Sequence, residues 1–284
     1  MTDHSPPDVQ SAKTSTGHEL SESSYLDGHF ESMKPEYEAM IRSVGIKSGW
    51  KALDAGCGGG SFLPFLAELV GSSGHISAYD MAPENIEVID LWVVNKQFPC
   101  SVETRVGDVT SLPYEDNSFD VVWCANVTQY LTDDELSKML AEFRRVVRPG
   151  GLVVVKELDV TTTLYYPFDP TMIWRRFDAI RQHRPQNVRA IQLPTWFKQA
   201  GLINVGFKTF LSERHAPLGS IEREFIGMIL KFFAQTAENV DLPEQDMKVW
   251  RELANFDSSG HILKHPDFYF REGHIVVIGQ VPEN

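Results

Sequence analysis

Long apolar runs are missing from this chain of 284 residues. No stretch approaches the ~18 consecutive apolar residues that a membrane span requires, so no span is expected. The opening Met1-Thr-Asp-His-Ser-Pro-Pro-Asp8 lacks a basic segment backed by an apolar stretch, so no secretion signal is expected either. Cysteine is scarce. Cys57, Cys100 and Cys124 are the only three, and no pair has metal-ligand spacing. They read as reduced thiols, which points to a cytoplasmic location and to no metal. Positive charge is also short: 26 basic residues face 39 acidic ones, a net charge of −13. A protein that grips phosphates needs a basic footprint, so nucleic acid is not an expected partner. Of the short basic clusters, Arg144-Arg145 with Arg148 falls late in a helix, where cations complement the macrodipole. Arg175-Arg176, with Arg181 and Arg184, reads as a solvated helix face, an acidic substrate being the alternative.

What is present is a globular composition, 42% hydrophobic and 23% charged, enough for one large domain carrying an insertion. Its most informative segment is Asp54-Ala-Gly56-Cys-Gly58-Gly59-Gly60. The apolar run ending at Leu53 reads as a strand, and Ser61 to Leu69 carries apolar residues at helical spacing. A strand, a glycine turn and a helix are how an α/β sheet holds a nucleoside cofactor. Glycine suits the turn because a Cβ would keep the ligand off the backbone and because such turns often need φ > 0. The spacing is G-x-G-x-G. The nicotinamide fingerprint wants Gly or Ala at position 61, where this chain has Ser61.

Further strands follow with polar residues at their C-terminal ends. His75–Tyr79 ends in Asp80, placed where a βαβ unit delivers a carboxylate to a ribose diol. Ser101–Val106 ends in Gly107-Asp108, and Phe119–Cys124 in Ala125-Asn126. An amphipathic helix (Asp133 to Val147), a turn at Arg148-Pro-Gly-Gly151 and the strand Leu152–Glu157 complete the run. Open α/β sheets bind ligands at such strand ends.

In this order and spacing, residues 30 to 160 resemble the class I S-adenosylmethionine-dependent methyltransferases, closest to the small-molecule branch with the menaquinone and ubiquinone enzymes. The resemblance implies a Rossmann-like α/β fold: a seven-stranded, mostly parallel sheet with an antiparallel last strand. It implies S-adenosyl-L-methionine as cofactor. Asp54 with Gly56, Gly58 and Gly60 would hold its methionine part, and Asp80 the ribose, with Met81 by the adenine. Asp108 and the Val109 amide would meet the adenine ring, while Asn126, Gln129 and Tyr130 would floor the site beside the sulfonium. The Asn-Pro-Pro-Tyr motif common in methyltransferases of amide and nucleobase nitrogens is absent, since Val127-Thr128 follows Asn126.

Residues 1–22 lack apolar periodicity and read as a disordered arm, and 23–45 as a helical lid. Within the lid Tyr25 and His29 lie four apart, on one helix face. They are candidates for contact with cofactor or substrate, with ordinary packing as the alternative. Residues 46–211 and 273–284 form the cofactor-binding domain. A helical cap insertion spans 212–272, its aromatic residues reading as core or pocket. Catalytic candidates are Tyr25, His29, Tyr130 and Glu157, the last expected to end strand five at the mouth. Aromatic faces favour a sulfonium cation. The expected substrate is a mostly apolar small molecule: a quinone, prenylated or natural-product metabolite. A homo-oligomer formed through the N-terminal segment or the cap is a further expectation. Two other readings stay open, a cofactor-binding protein that catalyses cyclisation or rearrangement, and a nicotinamide oxidoreductase.

Overall fold

The structure, a computed structural model, describes residues 23–95, 98–256 and 260–283, with the side chains of residues 23–29 outside the description. The expected arm at 1–22 therefore lies outside the described residues. In chain order the elements are α1 (Ser23–Arg42), β1 (Lys51–Ala55), α2 (Leu63–Val70), β2 (His75–Asp80), α3 (Pro83–Asn95), β3 (Ser101–Val106) and β4 (Phe119–Ala125). They continue with α4 (Asp133–Val146), β5 (Val147–Tyr166), α5 (Pro170–His183), α6 (Leu193–Gln199), β6 (Ile203–His215), α7 (Ser220–Ala237), α8 (Glu244–Leu253) and β7 (Tyr269–Gln280).

The seven strands form one sheet in the order β3-β2-β1-β4-β5-β7-β6. The first five run parallel, and β7 is antiparallel to both of its neighbours. Chain order reverses between β1 and β4, so the crevice at their C-terminal ends is the natural ligand site. The central strands are apolar on both faces, as a sheet covered twice requires. Val121 and Trp123 face the layer of α1, α2 and the insertion, while Val122 and Cys124 face α4 and α6.

Local chemistry accounts for the helix ends. Thr132 and Glu135 form a reciprocal capping box at the start of α4, the Glu135 carboxylate accepting from the Thr132 N–H at 2.7 Å. Acids Asp133–Glu135 open this helix and Arg144-Arg145 close it, both complementing its dipole. In α1, Met33, Tyr37, Met40 and Ile41 recur at helical spacing and are buried within the chain's own core.

Two sequence expectations change. Strand five does not stop at Glu157 but runs nine residues further, because β7 pairs with it as far as Tyr166 opposite Tyr269. The Arg175-Arg176 pair is not a solvated face. Arg175 holds Asp246 of α8 with two hydrogen bonds at 2.6 and 2.9 Å. Arg176 is buried with its guanidinium 3.9 Å from the centre of the Phe233 ring, and burial lowers its pKa to about 9. Both arginines thus tie α5 to the insertion. The helical insertion after β6 stands against α1. Its α7 packs on α1 and α8, and Arg214 at the end of β6 joins Glu36 of α1 at 2.7 Å and Glu222 of α7 at 3.3 Å. Its wide apolar face is consumed by these contacts.

Candidate active site

A cavity of about 320 Å³ opens at the C-terminal ends of β1, β2 and β4, within the usual size range for small-molecule sites. It brings together Gly56, Gly58, Asp80, Met81, Asp108, Val109, Asn126, Gln129 and Tyr130 from separate segments of the chain. The glycine loop is pinned to the end of β2, with the Gly56 and Cys57 N–H groups both donating to the Tyr79 carbonyl at 2.7 and 3.1 Å. Gly56 has φ +74, and a Cβ there would lie 2.3 Å from Val127 Cγ2, so the loop after β4 can close over it only if the residue is glycine. Gly60 lies outside the cavity lining. A Cβ on it would meet Leu63 and Ile89 at 2.9 Å, so this glycine serves the packing of α2 and α3 on the loop.

Asp80 is almost buried and already engaged by the protein. Its Oδ2 accepts from the Gly58 N–H at 2.8 Å, and its Oδ1 from the Ala82 N–H at 2.9 Å and Asn85 Nδ2 at 3.1 Å. A carboxylate offers about four acceptor positions, so one remains for a ligand hydroxyl. Asp108 is more open, and its Oδ1 accepts from the Thr110 N–H and hydroxyl, both at 2.8 Å. Met81, 57% exposed, stands at the lip.

Asp54 lies beneath the loop, outside the lining and 1% exposed, and its Oδ2 has no hydrogen-bond partner. Burial first, and the nearby Asp80 second, raise its pKa to about 8. An orphaned, buried carboxylate oxygen under a glycine loop calls for a cationic donor. The ammonium group of a methionine moiety is such a donor. The three acids at the rim, Asp80, Asp108 and Glu135, also suit a cationic cofactor.

Asn126 adopts φ +60, a conformation asparagine tolerates, and its side-chain oxygen turns inward to accept from Lys156 Nζ at 2.8 Å. Gln129 Nε2 donates to the Asn126 carbonyl at 3.1 Å, closing the loop on itself. Tyr130 lines the cavity, and burial pushes its phenol up. Glu157 is not at the mouth. It is buried under the same loop, where its Oε1 accepts from the Thr128 N–H at 2.6 Å, and burial raises its pKa. Arg189 supports that loop too, donating to the Leu131 carbonyl at 2.9 Å and to Asp133 at 2.7 Å. The side chains of Tyr25 and His29 lie outside the described residues.

Sequence reasoning missed several participants, Phe62, Leu131 and Glu135 of the lining among them. Phe30 and Tyr37 of α1 and Leu158 of β5 line the cavity, and Lys156 stands behind Tyr37 and Asn126. Lysine inside the apolar run Leu152–Lys156 was the available signal, since a central strand seldom carries an unsupported charge.

Fold and site together define an α/β protein built to hold an adenosyl cofactor at its sheet's switch point. Residues 53–155 match the family model described as a methyltransferase domain. The chain is 30% identical over 203 residues to demethylmenaquinone methyltransferase of Staphylococcus aureus, covering 64% of this chain and 79% of that protein. Among solved structures, phosphoethanolamine N-methyltransferase 2 of Haemonchus contortus, with phosphomonomethylethanolamine and S-adenosylhomocysteine, superposes with a TM-score of 0.55 at 16% identity, over 94% of this chain and 57% of that one. The YcgJ protein of Bacillus subtilis gives 0.52 at 17% identity, over 90% and 100%. This chain belongs to the class I S-adenosylmethionine-dependent methyltransferases. It is an enzyme of that class, with S-adenosylmethionine as cofactor, and the nicotinamide reading is set aside.

Proposed function

We propose that this enzyme methylates a largely apolar, ring-bearing small molecule of the quinol, prenylated-phenol or related natural-product kind. The observation that carries this reading is the lining of the cavity beyond the cofactor-binding loops. There Phe30, Tyr37, Phe62, Leu131 and Leu158 supply aromatic and aliphatic surface, and no basic side chain lines the cavity among the described residues. A phosphorylated or carboxylated acceptor would find no cation to meet it. The printed activity of the Staphylococcus aureus relative, on demethylmenaquinone, supports the same class. Asp54 and the glycine loop hold the methionine end, Asp80 the ribose, and Asp108 with the Val109 amide the adenine. Bound there, the cofactor supplies an electrophilic methyl group. The chain's part is to hold the acceptor in line with it, an effect of up to about 7–11 kcal/mol.

No residue of α7 or α8 lines the cavity among the described residues. The insertion's role in this reading is to hold α1, and through it Phe30 and Tyr37, over the site. Because Met33, Tyr37, Met40 and Ile41 of α1 are buried in the core of their own chain, the reading needs no segment exchanged with a second copy. The test incubates the purified protein and cofactor with fractionated cell extract and follows by mass spectrometry the gain of one methyl group. Methylation of an organic-extractable phenolic or quinol compound is expected. Methylation confined to phosphorylated or carboxylated water-soluble acceptors, or none at all while cofactor binds, would refute it.

A further inference from the structure

The inner end of the cavity conceals a lysine that no part of the cavity exposes. Lys156 is 0% exposed on β5, on the same strand face as the lining residue Leu158. Its Nζ lies 2.8 Å from Asn126 Oδ1, 3.3 Å from the Tyr37 hydroxyl and 4.5 Å from the centre of the Tyr37 ring. Tyr37 and Asn126 both line the cavity, so the lysine is joined to it through them.

Charged and titratable groups approach Lys156 from several sides. Tyr37 comes from α1 and Glu157 from its own strand. From β7 come Glu272 and His274, paired with each other at 3.2 Å, and the His274 ring meets Tyr37 edge-on at 5.7 Å. Burial brings the Lys156 pKa down to about 8, with the Glu157 and Glu272 carboxylates opposing the fall. A neutral amine has two N–H donors and one lone pair. With one N–H on Asn126 Oδ1, a second N–H and the lone pair remain at the 3.3 Å Tyr37 contact; with the lone pair turned to it the amine accepts from the Tyr37 hydroxyl.

We propose that Lys156, acting through Tyr37, takes up the proton released during methyl transfer, and that the acceptor carries an acidic hydroxyl of the phenol or enol type. The proposal rests on the methyltransferase reading above. As the acceptor hydroxyl gives its proton to the Tyr37 oxygen, the Tyr37 proton passes to Lys156 Nζ. The electron pair released on the acceptor, at oxygen or at the conjugated ring carbon, forms the new bond to the methyl carbon. The carbon–sulfur bond breaks and sulfur keeps its electrons. One positive charge, on sulfur before and on Lys156 after, is present throughout. Tyr37 touches the acceptor; Lys156 positions Tyr37 and stores the proton.

Charge conservation gives a readout that does not depend on turnover. A sulfonium held over Asn126, the partner of Lys156, would disfavour the lysine's ammonium form, whereas the neutral thioether of S-adenosylhomocysteine would not. Calorimetric titrations in buffers of different ionisation enthalpy count the protons released when each ligand binds. Both ligands carry the same amino-acid end, so Asp54 contributes equally to both and cancels in the difference. At pH 8, S-adenosylmethionine is expected to release up to roughly half a proton more than S-adenosylhomocysteine, and the excess should vanish near pH 9.5, where the lysine is already neutral. Lys156→Met should bind both ligands without the excess. Tyr37→Phe should keep the excess yet lose at least about tenfold in kcat with little change in the KM for cofactor. Equal proton release by the two ligands in the wild-type protein, or an excess that survives Lys156→Met, overturns the proposal. Absence of any binding heat with either ligand would instead count against the cofactor site itself.

Discussion

Asp54 should make the ligand-free protein less stable while making cofactor binding possible, and Asp54→Asn separates the two effects. In the unfolded chain this carboxyl ionises near pH 3.9. In the folded protein burial holds it protonated up to about pH 8. A group whose folded pKa is raised contributes stability that is complete below the unfolded value and lost as pH rises through the folded one. Between those limits the loss is about 1.4 kcal/mol per pH unit, which reaches on the order of 4 kcal/mol at pH 7. Asparagine does not titrate. Its amide, placed where Oδ2 has no partner, costs about 1–3 kcal/mol, but that cost is the same at every pH. The pH slope therefore isolates Asp54 from the other buried groups with shifted pKa, Lys156 and Glu157, which both proteins share. Urea denaturation without cofactor at pH 5, 6, 7 and 8 should show the stability of Asp54→Asn rising relative to wild type, by about 3 kcal/mol from pH 5 to pH 7, then levelling above about pH 8. With cofactor at a hundred times its Kd the wild type should gain about 2.7 kcal/mol and the variant almost nothing. A stability difference that stays flat with pH would show that Asp54 is ionised in the folded protein and that the reasoning is wrong.

Asp80→Ala should do more than remove a ligand contact, because it also strips the acceptor from Gly58, Ala82 and Asn85. We expect cofactor affinity to fall at least about tenfold in calorimetry and urea stability to drop by roughly 2–4 kcal/mol; unchanged affinity would remove Asp80 from the site. Deleting residues 1–22 should leave cofactor affinity unchanged. Deleting 1–42 takes away the buried Met33, Tyr37, Met40 and Ile41 and the Arg214 partner Glu36, and should lower Tm by at least about 5 °C and abolish methyl transfer. Full activity in the longer deletion would show that α1 is no part of the site.

Much of this protein is local and therefore legible from residue order. A strand, its terminal turn and the following helix are contiguous, so Asp54, the glycine loop, Asp80, Asp108 and Asn126 could each be placed at a strand end from their own neighbourhood. The capping box of α4 and its charged ends were legible for the same reason.

The length of β5 was not, because it depends on β7, a strand more than a hundred residues away that pairs with it past Glu157. That pairing moved Glu157 from the mouth to a place under the loop, where it holds the Thr128 amide. Arg176 looked like a surface residue until α7 and α8 closed over it with Phe233 and Trp250. Lys156 showed only as an oddity in an apolar strand. Sequence by itself determined the fold class and the cavity-forming ends of β1, β2 and β4, since these rest on interactions between neighbours in the chain. Only the tertiary structure decided which charges are buried, which side chains of α1 reach the cavity and where the insertion stands. Burial and its effect on a charge are set by whichever distant segments happen to exclude water, and no stretch of residues carries that information alone.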